Sequence, residues 1–66
     1  MRTYQIIVRG RISSRLASAF EPARLVPEQG RTVLIGEVDQ AQLFGILDRL
    51  RDLGIELLGV EEVTAP

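Results

Sequence analysis

The stretch Asp39–Gly54, DQAQLFGILDRLRDLG, running directly into IELLGVEEV, constrains the fold more than any other part of the chain. Asp39 is a good N-cap, because its carboxylate can accept hydrogen bonds from the free amides of a first helical turn. Gln42 stands three residues on and completes a capping-box pattern. Leu43, Ile46, Leu47, Leu50 and Leu53 then recur every three or four residues, which predicts one apolar stripe on an amphipathic helix. Asp48, Arg49, Arg51 and Asp52 fall off that stripe. Gly54 is placed to end the helix in the left-handed conformation that glycine tolerates best. Gly45 is a weak spot costing roughly 1 kcal/mol against alanine, and either lets something approach closely or is a tolerated defect. A helix with both ends marked, followed at once by an apolar run, must pack back on that run. Leu43, Leu47 and Leu50 are the positions expected to be most buried.

The chain has 66 residues, so it is read as a single domain, 1–66. A domain this small buries only about 60% of its unfolded surface and is marginally stable by itself. There is no Cys, hence no disulfide and no thiolate metal site. Oligomerisation or docking on a partner is the remaining common remedy. No apolar run approaches the ~20 residues that span a bilayer, and MRTYQIIVRGR lacks a signal-peptide pattern. The expectation is a soluble cytoplasmic protein with no membrane partner. Net charge is −1. Its distribution is uneven: residues 1–34 carry six Arg against two Glu, a net +4, and residues 35–66 carry two Arg against seven acids, a net −5. Such polarity can steer self-association or a charged partner.

Taken in order, Thr3–Ile12 reads as a strand, with Tyr4, Ile6 and Val8 on one face and Gln5, Ile7, Arg9 and Arg11 on the other. Gly10 suggests a bulge or a close backbone approach. Ser13 or Ser14 can cap a short helix to about Glu21, which Pro22 ends. Ala23–Val26 is a short strand between Pro22 and Pro27, a pattern that belongs at a sheet edge. After the turn Glu28-Gln29-Gly30 comes the strand Arg31–Val38, apolar on both faces and therefore central. Ile55–Val63 is the last strand, in which Leu57 and Leu58 point to opposite sides.

The order β-α-β-β-α-β predicts an α+β, ferredoxin-like sandwich: a four-stranded antiparallel sheet of order 4-1-3-2 with two helices on one face. The face without helices would then gather Ile7, Val33, Ile35 and either Leu57 or Leu58, with Arg9 and Arg11 near the rim. An exposed apolar patch marks an interface. Ile7, Arg9, Val33, Ile35 and Leu57 are the candidate interface residues, and a homodimer or another protein is the expected partner.

Candidate chemistry is sparse. His and Cys, the commonest acid–base groups, nucleophiles and metal ligands, are absent. Glu61 and Glu62 are adjacent on a strand and face opposite ways. Asp48 and Asp52, one helical turn apart, have Arg49 and Arg51 beside them and read as a solvated ion-pair face. No catalytic residue, metal site or cofactor is expected, and hence no enzyme. Gly10, Arg11, Ser13 and Ser14 join a strand to a helix start, a generic anion site, and are the candidate small-ligand residues. RNA-recognition modules of this topology stack bases on aromatics of the two central strands. RTVLIGEV has no aromatic and Tyr4 is expected on the core side, so nucleic acid is not an expected partner.

The element order, with GIELLGVEEV after a Leu-rich helix, is similar to that of ACT-type regulatory domains. That resemblance implies small-ligand binding, often of amino acids, at interfaces between paired domains. GRISS stands where that family carries an acidic-proline-glycine turn. YQIIVRGRIS together with VDQAQLFGILDRLRDLGIELLGVEEV resembles short, uncharacterised stand-alone proteins of GC-rich actinobacteria, a likeness that implies no activity.

Overall fold

Alternating apolar residues form the strands and three-to-four spacing forms the long helix, in one α+β sandwich. The computed structural model describes residues 1–63. They run β1 (Arg2–Arg9), a 3-10 helix (Ser14–Phe20), β2 (Arg24–Glu28), β3 (Arg31–Val38), α1 (Gln40–Asp52) and β4 (Leu57–Val63). All pairings are antiparallel and the strand order is β2-β3-β1-β4, the same neighbours as 4-1-3-2 counted from the other edge.

Register decides which side chains share a face. Ile6 lies opposite Leu34 and Val60, while Ile7 lies opposite Val33 and Gly59. The first set is on the helix side. There Ile6, Val8, Leu34 and Val38 form the core with Phe20, Ala23, Leu43, Ile46 and Leu50, and Tyr4 packs against its margin. Ile46, and not Leu47, is the third deeply buried residue of the helix, and Leu53 is exposed. The stripe is centred on Leu43, Ile46 and Leu50; Leu47 falls to its side, and Leu53 lies beyond the last regular turn.

Both ends of α1 are built as their sequence requires. The Gln42 amide donates to Asp39 Oδ1 at 2.7 Å and the Asp39 amide donates to Gln42 Oε1 at 2.9 Å, a complete capping box. At the other end Gly54 adopts φ +71°. Its amide donates to the Arg51 carbonyl at 3.0 Å, and the Ile55 amide donates to the Leu50 carbonyl at 2.9 Å. These two bonds make a Schellman motif, which satisfies carbonyls that a helix end otherwise leaves free.

Four elements differ from expectation. The first strand stops at Arg9 rather than Ile12, because Gly10 turns the chain with φ +82° and donates to the Gly30 carbonyl at 2.9 Å. The helix after it is 3-10, a form suited to one short crossing. β2 is Arg24–Glu28, not Ala23–Val26, so Pro27 lies inside it; the proline is tolerated because β2 is an edge. β4 begins at Leu57, with Ile55 and Glu56 as its approach.

Two packing details hold the 3-10 side in place. Thr32, buried in β3, donates through Oγ1 to the Gly10 carbonyl at 2.8 Å and accepts from the Ile12 amide at 3.2 Å. Gly36 lets the chain at Pro22–Ala23 touch β3: a Cβ there would stand 2.7 Å from the Ala23 Cα.

Candidate functional site

The face of the sheet away from the helices is smaller as an apolar surface than its sequence suggests. Strand pairing sets Val26, Val33, Ile7 and Gly59 in one row across it, with Ile35 beside Val33. Val33 is only 3% exposed, since Ile7 and Val26 flank it, and Ile7 and Ile35 are half-buried. Charged residues bound that row at one end. Arg9 and Arg31 lie directly opposite each other, and each holds a carboxylate: Arg9 Nε to Glu56 at 3.0 Å, Arg31 Nε to Glu28 at 2.7 Å. Like charges directly across a pair repel, so the two glutamates offset a local strain. At the other end Arg24, Gln5 and Glu61 form the next polar row with Ile35.

Leu57 is not part of this row. It lies opposite Val8, a helix-side position, and Leu58 is the extra residue of a bulge between Leu57 and Gly59. Both leucines are exposed, 46% and 43%. Neither is buried in the core.

The exposed apolar side chains gather elsewhere. Met1 aside, the large ones are Phe44, Leu53, Leu57, Leu58, Val60 and Val63, all on α1, its exit or β4. Val60 shares the helix side with Ile6, yet it is 38% exposed where Ile6 is 1%. The helical layer therefore covers β1 and β3 and stops short of β4. Leu53 lines a groove with Leu16 and Ile12 on the 3-10 side, which fixes the orientation of α1. Phe44 is on the opposite flank by helical spacing, towards β4. It is 54% exposed. β4 is thus an edge strand whose helix-side face the helical layer leaves partly bare. Sequence periodicity could not have found it, since Val60 and Ile6 sit in equally apolar alternating runs.

The charges near this edge are balanced. Arg2 Nη1 donates to Glu62 Oε2 at 2.8 Å, and that bond, then the charge of Glu62 and that of Tyr4, holds the guanidinium above its ordinary pKa. On the helix, Arg51 pairs with Asp48 at 3.5 Å. No three acidic side chains among the described residues converge as a metal site would need. Among the described residues no helix is long and apolar enough to cross a membrane.

The candidate ligand residues come together as one loop, in which Gly10, the Ile12 amide and the Ser13 hydroxyl are already bonded. Gly10 is bonded to Gly30 and Thr32, the Ile12 amide to Thr32, and Ser13 Oγ accepts from the Arg15 amide at 3.2 Å. Arg11 and Ser14 are exposed. Open grooves of about 540 and 380 Å³ flank the loop, towards the end of α1 and towards β2, and Arg11 and Ser13 border both. Thr32 organises this loop and was not evident in the sequence; a threonine beside the apolar run Val33–Ile35 of the central strand is the signal that could have found it.

Comparison with curated proteins and with solved structures finds no significant match. A family model does match, over residues 3–61, from the start of β1 into β4. The chain belongs to that family, described as a domain of unknown function, DUF8691.

Proposed function

We propose that this ferredoxin-like domain is a non-enzymatic interaction module that works by self-association. The observation that carries the reading is the exposure of Leu57, Leu58, Val60 and Val63 along the edge strand β4. A domain of this size has little core to spare, and covering such a patch stabilises it by roughly 25 cal/mol per Å² of apolar surface removed from water. The sheet face without helices, with Ile7, Val33 and Ile35 at its centre and Arg9 at its rim, is the competing locus. Its apolar row is narrow and partly sealed by its own neighbours. Nucleic acid is not the partner in this reading. Tyr4 packs on the helix side, Phe20 is buried and Phe44 is on α1, so the open face offers no aromatic for base stacking.

Light scattering on the purified chain tests the proposal. The expected result is a dimer at micromolar concentration, and a monomer there overturns it. Ile35→Glu and Val60→Glu then separate the two surfaces, with the larger loss of association expected for Val60→Glu. A second reading, an ACT-type small-ligand domain binding at Gly10, Arg11, Ser13 and Ser14, has the two grooves beside Arg11 in its favour. Thermal shift across a panel of amino acids and small anions tests that reading, and a flat response removes it.

A further inference from the structure

We infer that the partner of the β4 edge is a second copy of this chain, paired β4 to β4 in antiparallel about Val60, so that two sheets join into one of eight strands. The inference rests on the self-association proposed above and adds its geometry.

The two edges of the sheet differ in a way that singles out β4. Pro27 within β2 removes a backbone donor from that edge, whereas β4 has no proline and presents an edge row of amides and carbonyls. Such a row takes another strand readily. Two-fold antiparallel pairing requires one residue to face itself, and β4, Leu57–Val63, has Val60 at its middle. Centred there, Gly59 meets Glu61 of the second copy, Leu58 meets Glu62, and Leu57 meets Val63. Glu61 never meets Glu61, as it would one residue further on, where like charges would oppose each other. Glu62 is already neutralised by Arg2. The bulge at Leu58 loosens the outer pairs and leaves Gly59–Glu61 as the regular centre.

The same two-fold keeps both helical layers on one side of the joined sheet. Phe44 and the helix-side residues of β4 in one copy then close over those of the other. A seven-residue strand is roughly 24 Å long, and the smallest dimension of the molecule is 18 Å. A face of that order suits an interface at the low end of the stable range, about 1,200 Å² in total.

Single-cysteine variants test the geometry cleanly, because the chain has no Cys of its own. Residues directly opposite in an antiparallel pair have Cβ atoms about 4.5–5.5 Å apart, close enough for a disulfide after a small adjustment. Val60→Cys is expected to form a covalent dimer under mild oxidation at least about tenfold faster than Ile35→Cys, because only facing thiols meet disulfide geometry. Val60→Lys, at a position already 38% exposed, is expected to keep the fold, checked by circular dichroism, and to weaken the dimer at least about tenfold, as lysine on an edge does. A dimer that survives Val60→Lys, or that cross-links faster through Ile35→Cys, overturns the edge geometry and leaves self-association standing. A wild-type monomer at micromolar concentration overturns both.

Discussion

The two edges of this sheet are made of similar amounts of apolar residue and behave as opposites. At β2, Pro27 removes a donor, Arg24 and Glu28 are charged, and the chain of the 3-10 helix closes over the inner side through Phe20 and Ala23. At β4 the backbone is uninterrupted by proline, and α1 stops short of covering it. Blunting is thus complete on one edge and left to two glutamates and a bulge on the other. Edge protection in so small a domain follows from what lies over a strand as much as from its own residues.

The comparison can be broken from the covered side first. Phe20→Ala removes the largest fully buried side chain at β2 and is expected to cost about 3–5 kcal/mol, measured by denaturant unfolding. Gly36→Ala forces a Cβ against the Ala23 backbone at 2.7 Å and is expected to cost about 1–3 kcal/mol, loosening the same cover. Thr32→Val deprives the Gly10 carbonyl and the Ile12 amide of their partner, for about 1–3 kcal/mol and faster amide exchange at Ile12. Pro27→Val sharpens the contrast from the other direction. It restores a donor to the β2 edge, so association beyond a dimer is expected in light scattering, with stability changed by less than about 1 kcal/mol. Gly45→Ala is the smallest effect and of opposite sign. Only the end of the Arg49 side chain lies near, at 3.9 Å, so the helix should gain about 0.5–1 kcal/mol with association unchanged.

Gly45 and Gly36 are two different kinds of glycine. Gly45 has room for a methyl group and is a tolerated helical defect, while Gly36 has none and is required by the chain crossing it. One interrupts a helix and the other a strand, but the residues around them do not say which chain, if any, comes close. The distinction comes from Pro22 and Ala23, more than ten residues away in the chain.

The candidate surface divides in the same way. Ile7, Val33 and Ile35 were legible as a shared face because β-strand alternation is a local rule, and register bears out that they share it. Their degree of exposure was not legible, because Val33 is sealed by Ile7 and Val26 from other strands. Leu57 was misplaced on that face by a single inserted residue, Leu58, since one extra residue turns the strand's alternation over.

By itself the sequence determined the limits of α1, the α+β class and the inward faces of β1 and β3. Capping, the glycine at a left-handed turn and side-chain period act within a few residues, so they can be read without a partner in view. Only the tertiary structure decided that the first crossing is 3-10, that Thr32 ties down Gly10 and Ile12, and that Val60 is bare while Ile6 is sealed. Those outcomes depend on how far one layer reaches across another, a matter of helix length and placement that no strand encodes in its own alternation.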